Sequence, residues 1–210
     1  GGEIKPFLSF VVNPCEGFQR TCKESRIKLK GIEHVLCTSL CPDRTLGLPG
    51  LALGLGDVGG STLTVHGPTG TCEYVEACRP FFPRTWPEVK TVANIPSDTD
   101  DGVPFVIFQD EHVKWTAMPL GGILTASARQ DLHPRPKRRR VDKEGGGHPP
   151  ATVMYVCQTK RPLVKETVAF VECCLSDDTI AAVVAWMHAT LPVDRATTLF
   201  HCFPPMGVTE

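Results

Sequence analysis

The stretch VLCTSLCPDRTLGLPGLALGL, Val35 to Leu55, decides the fold. Val35 to Cys37 is a short apolar run that ends in Thr38, as a strand would. Gly47-Leu48-Pro49-Gly50 then opens an apolar run that reaches Asp57, long enough for a helix. A buried strand feeding a short polar loop and an apolar helix is the repeating unit of a layered α/β fold. The loop itself reads Ser39, Leu40, Cys41, Pro42, Asp43, Arg44, with no histidine. A catalytic zinc site needs neutral imidazoles, and this loop has none to offer.

Working outward, further strands are expected at Pro6 to Asn13, His34 to Thr38, Thr62 to His66, Val89 to Ile95, Phe105 to Gln109, Val153 to Gln158, Thr167 to Cys173 and Thr198 to Cys202. Each is a short apolar or β-branched run bounded by Gly, Pro or Asp. Helices are expected at Gly17 to Lys23, Leu48 to Asp57, Cys72 to Phe82 and Asp177 to Thr190. The last has Ser176 as N-cap and Ile180, Val183, Val184 and Met187 on one stripe. Arg129 to Pro150 breaks the alternation with charge, prolines and three consecutive glycines, and reads as a disordered basic insert decorating one domain.

The chain has 210 residues, 41% hydrophobic and 21% charged, with a formal net charge of −1. That length suits one domain or one half of a pseudo-symmetric enzyme, and the charge argues against a globally basic nucleic-acid binder. No apolar stretch is long enough to span a membrane, and the start has no signal-peptide pattern. Gly1-Gly2 reads as a turn inside a longer protein, so a fragment is expected. Ten cysteines are present without a CxxC pair, and most sit in apolar contexts where a thiol packs as a small hydrophobe. A metal pair at Cys37 and Cys41 would need distant histidines.

Gly54 to Gly59 formally matches a dinucleotide-binding glycine pattern, but it closes an apolar helical run, where Gly59 or Gly60 serves as the left-handed terminator. Asn13 to Arg20 is a turn from strand to helix in which Glu16, Gln19 and Arg20 either meet phosphate or structure the loop. Lys23, Arg26, Lys28 and Lys30 are expected to form one RNA-facing stripe. Lys137, Arg138, Arg139 and Arg140 suit a nuclear import receptor, with solvated linker charge and RNA contact as the alternatives. His66-Gly67-Pro68 ends a strand in a rigid turn. No nucleophile elbow or paired-histidine motif is present.

In order and spacing, these motifs resemble the amino-terminal half of long-form ribonuclease Z, the endonuclease that trims the 3′ trailer of precursor tRNA. The turn at Asn13 to Arg20 is similar to that family's N-C-G-E-G-x-Q-R, departing at Pro14 and Cys15 and keeping Glu16, Gly17, Gln19 and Arg20. Lys28 to Thr38 resembles its K-L-x-x-I-x-x-I-F-L-T strand. Gly47, Leu48 and Gly50 match the helix opening, and Leu63 to Pro68 matches L-x-L-x-G-P. Against the superfamily's His-x-His-x-Asp-His loop, the ligand places hold Ser39, Cys41, Asp43 and Arg44.

The resemblance implies a degenerate, non-catalytic metallo-β-lactamase-like αββα sandwich spanning residues 1–210. It implies no catalytic residue and no cofactor here, with zinc in a missing carboxyl-terminal catalytic half. It further implies precursor tRNA as a partner and a place in the nucleus, or in nucleus and mitochondrion. The alternative is a stand-alone inactive scaffold that partners a separate RNA-processing nuclease. The family's long Gly-Pro-rich arm for the tRNA elbow has only Thr159 to Glu166 in its place.

Overall fold

In a computed structural model the opening stretch is strand, loop and helix. Residues 9–60, 62–81, 88–93, 104–120, 153–160, 167–172, 185, 189 and 197–202 are described. Two compact units divide the chain, residues 1–97 and 98–210.

In the first unit four strands, β1 (Ser9–Val12), β2 (Ile32–Leu36), β3 (Thr62–Gly67) and β4 (Glu88–Ala93), lie side by side in chain order and all parallel. Parallel neighbours need crossovers, and these carry helices α1 (Phe18–Glu24), α2 (Pro42–Thr45), α3 (Gly47–Asp57) and α4 (Thr71–Cys78). Leu48, Leu51, Ala52 and Leu55 recur at helical spacing and are all buried, packing in one cluster with Val35, Cys37, Leu63 and Val65 of the sheet. Each such leucine contributes about 1.5–3 kcal/mol on full burial, so α3 is the main apolar cover of the sheet. Val35 and Leu36 at the end of β2, and Cys37 just beyond it, are all completely buried.

The glycines after Leu53 end a helix. Gly59 has φ 74°, and the Gly60 N–H reaches back to the Leu55 carbonyl at 2.7 Å. This is helix termination by a left-handed residue, so Gly54 to Gly59 does not open a helix toward a phosphate.

Two elements of the first unit depart from expectation. The loop after β2 contains a one-turn helix, α2, because Pro42 presets the first helical φ and the Thr45 hydroxyl donates back to the Cys41 carbonyl at 3.1 Å. α4 stops at Cys78 rather than at residue 82. A 3₁₀ turn over Arg79–Phe81 follows it, since Pro80 has no N–H to continue an α-helix.

The second unit holds five strands in chain order, β5 (Phe105–Gln109), β6 (Val113–Pro119), β7 (Val153–Thr159), β8 (Thr167–Glu172) and β9 (Thr197–Cys202). β5 to β8 run antiparallel, and β9 joins β8 in parallel. β6 was not expected, because Lys114, Thr116 and Pro119 interrupt its apolar pattern. It is nevertheless a central strand, with Trp115 to Pro119 all buried and Pro119 at its end opposite Val153. Its entry turn is held by Asp110, whose carboxylate accepts the N–H groups of His112 and Val113 at 2.7 Å each. Those backbone donors, Val113 first, hold the Asp110 carboxyl below its ordinary value. Trp115 stacks on Phe170 across the sheet, ring centres 5.9 Å apart.

The insert at 129–150, including Lys137 to Arg140, lies outside the described residues. So does the expected helix Asp177 to Thr190, apart from Ala185 and Ala189, which are helical. Among the described residues, no helix is long and apolar enough to cross a membrane.

Candidate functional site

Ligands in parallel α/β sheets gather at the carboxyl ends of the strands, and here the loops after β1, β2 and β3 meet at that edge. They are stitched to one another. Asn13, at φ 52°, donates its N–H to the Leu36 carbonyl and accepts both the N–H and the hydroxyl of Thr38 on its side-chain oxygen, at 2.9 and 3.0 Å. The Gly47 N–H donates to the Pro14 carbonyl at 2.9 Å. A Cβ on Gly47 would come within 2.0 Å of the Cys15 carbonyl oxygen, so only glycine lets α3 start this close to the β1 turn. After β3, the Pro68 carbonyl accepts the Thr71 hydroxyl at 2.6 Å, and a Cβ on Gly67 would strike that same hydroxyl. Gly67 and Pro68 are thereby fixed as the turn into α4.

Within this stitched edge lies the loop of Ser39, Cys41, Asp43 and Arg44, the four residues compared in the sequence with zinc ligands. Ser39 is fully buried, and its hydroxyl oxygen accepts the Cys41 N–H at 3.3 Å. Cys41 stands at the N-cap of α2, with exposed Asp43 in the first turn and Arg44, a cation, in the last. Among the described residues, no group of three or more His, Cys, Asp or Glu side chains is placed to hold a metal ion. A buried hydroxyl and a guanidinium in ligand places do not fit zinc.

Across one face of the sheet, Phe10 stacks on His34 at 4.8 Å and His34 on His66 at 5.6 Å between ring centres. His34 Nδ1 lies 3.3 Å from Nε2 of buried His66. Burial, against the opposing pull of Glu33, holds His34 below the usual imidazole value and so favours its neutral form. The ladder spans β1, β2 and β3, joined by ring stacking and by the His34–His66 hydrogen bond.

A different feature occupies the opposite edge of the sheet, where α1 runs into β2 and α3 runs into β3. There Gln19, Arg20, Lys23, Ile27, Lys28, Leu29, Lys30, Gly54, Asp57 and Val58 line an open groove of about 730 Å³. Four cations face one carboxylate, which gives this spot a positive field on a chain of net charge −1. Arg20 also pairs with Glu24 one turn on, at 2.8 Å. Gln19 braces the wall: its amide lies where a Cβ on Gly54 would be, within 2.6 Å, and its oxygen 3.4 Å from one on Gly50. The two glycines four residues apart let α1 and α3 approach with the glutamine between them.

Of the four stripe cations, Lys23, Lys28 and Lys30 line the groove, and Arg26 does not. Arg26 sits at φ 57° in the turn that ends α1, its N–H on the Lys23 carbonyl and the Ile27 N–H on that of Cys22. This is a Schellman ending with arginine where glycine is usual. Glu16 is exposed beside Gly17, which caps α1 at φ 78°. Sequence reasoning missed Ile27, Leu29, Asp57 and Val58 as groove residues. The available signal was that Ile27 follows a helix end and Val58 ends the next long helix.

No protein-family profile matches the chain. Two Arabidopsis thaliana proteins named mitochondrial tRNase Z, TRZ3 and TRZ4, are 41% identical over 113 residues and 33% identical over 163 residues. The matches take in 53% and 71% of this chain but only 12% and 16% of those proteins. A ribonuclease Z of Listeria welshimeri is 42% identical over 62 residues, 29% of this chain and 20% of that protein. Among solved structures, a yeast long-form RNase Z superposes with a TM-score of 0.59 at 15% identity, covering 91% of this chain and 29% of that one. The short form of human tRNase Z gives 0.56 at 14% identity, covering 81% of this chain and 61% of that one. These two structural likenesses concern the fold.

Proposed function

This chain is a relative of the tRNase Z proteins with the metallo-β-lactamase fold, and on that premise we propose that it is the non-catalytic, substrate-positioning half of an endonuclease that removes the 3′ trailer of precursor tRNA. The observation that carries the reading is the loop at Ser39, Cys41, Asp43 and Arg44, which supplies no ligand set in a chain related to zinc-loop hydrolases. Hydrolysis then falls to a carboxyl-terminal catalytic half, whose zinc would supply an activated hydroxide. Residues 1–210 act as one amino-terminal half, with 129–150 as its basic insert.

Lys23, Lys28 and Lys30, joined by Arg20, hold RNA phosphates and so position the substrate without reading sequence. Arg26 adds charge beside the groove. The names of the Arabidopsis relatives favour a mitochondrial site of action. The Lys137 to Arg140 cluster, carried by sequence alone, would add import to the nucleus. The test is the salt dependence of precursor-tRNA binding. Each lysine changed to glutamine should weaken binding and reduce the log–log salt slope by about one. An unchanged slope in the triple variant would remove the groove from substrate binding.

A further inference from the structure

The groove is not a plain basic patch. Ile27 and Val58, 54% and 46% exposed, line it together with Leu29, between Arg20 and Lys23 on α1 and Lys28 and Lys30 on the approach to β2. Ile27 and Val58 are two of the four large exposed hydrophobics among the described residues, and both line the groove that the cations line. Leaving aliphatic side chains in water is unfavourable, and a duplex would not correct it, because a double helix keeps its base faces stacked inside and presents backbone, 2′-hydroxyls and base edges. An unpaired nucleotide presents both chemistries at once, an apolar base face and a phosphate. The groove's volume of about 730 Å³ falls within the range of sites that hold a small organic molecule, which is room for a base with its sugar.

Resting on the reading that this chain binds RNA, we infer that the groove takes an unpaired RNA strand, with a base against Ile27 and Val58 and flanking phosphates on Lys23, Lys28 and Lys30. Asp57, the single carboxylate in the lining, stands next to Val58 and can accept a ribose hydroxyl there. The arrangement differs from an aromatic stacking platform in using aliphatic contact, so it tolerates any base. In a precursor tRNA the unpaired trailer is a strand of this kind.

The experiment measures binding of the whole chain, by fluorescence anisotropy, to an unstructured 12-nucleotide oligouridylate and to a blunt RNA duplex matched in phosphate number. The expected result is about fivefold tighter binding of the single strand. Ile27→Ser with Val58→Ser should abolish that preference and leave duplex binding within about twofold. Both positions are exposed, and a thermal melt of the double variant verifies that it folds. Equal affinity for the two probes, or a preference that survives the double variant, would overturn the inference while leaving RNA binding intact. Binding of neither probe would overturn the RNA reading with it. Capture of an acidic amphipathic peptide in place of RNA would hand the groove to a protein partner.

Discussion

The side-chain oxygen of Asn13 accepts two hydrogen bonds from Thr38, one from its N–H at 2.9 Å and one from its hydroxyl at 3.0 Å, joining the ends of β1 and β2. Both residues are buried, and Asn13 is held at φ 52°, where asparagine is among the few tolerated side chains. Asn13→Ala should cost about 2–4 kcal/mol, from two stranded donors and an alanine in the left-handed region. Asn13→Gly strands the same donors but relaxes the backbone, and should cost about 1 kcal/mol less. Urea unfolding of the three proteins checks the order.

Gly47 and Gly54 lie in the same helix and answer differently to alanine. At Gly47 the new Cβ meets a backbone oxygen, that of Cys15, which cannot move without pulling α3 from the β1 turn. The expected loss is about 3 kcal/mol or more. At Gly54 it meets the flexible end of Gln19, and the gain of about 1 kcal/mol in helix propensity offsets the crowding. Gly54→Ala should therefore melt within a few degrees of the parent while Gly47→Ala melts far below it.

Burial pushes the Cys37 thiol up to about 12 and Cys157 up to about 11, from an ordinary 9.0. The folded state thus favours the protonated thiol. The stability this contributes is fully present below pH 9 and is lost as pH climbs from there toward the folded values. Iodoacetamide at pH 8 should modify exposed Cys15 first and leave Cys37 and Cys157 untouched until the chain unfolds, as peptide mapping would read directly.

Arg26 occupies a left-handed position that glycine fills without penalty, and it lies outside the groove lining. Arg26→Gly should stabilise the chain by about 0.5–1 kcal/mol and leave RNA affinity within about twofold. Lys28→Gln should do the reverse, with little change in stability and an affinity loss of severalfold. Equal losses from the two substitutions would show that general charge, and not the groove, binds RNA.

How much of this was legible in the sequence depends on what each element is made of. β2 and α3 could be read because Val35 to Cys37 and Leu48 to Leu55 carry uninterrupted apolar patterns whose burial follows from local spacing. β6 could not, since Lys114 and Thr116 look like surface residues until β5 and β7 flank them. The lysines flanking the first helix end were visible as a charge run. That Ile27, Leu29, Asp57 and Val58 join them was not, because α1 and α3 meet through Gln19 seated over Gly50 and Gly54, a contact set by tertiary packing.

The account turns on a half that binds substrate without cutting it, and one gel tests that most directly. Precursor tRNA labelled in its 3′ trailer is incubated with the chain and zinc, then run under native and denaturing conditions. The account predicts a salt-sensitive shift in the native lane and intact precursor in the denaturing lane. Trailer released by the chain alone, or no shift at low salt, would contradict it.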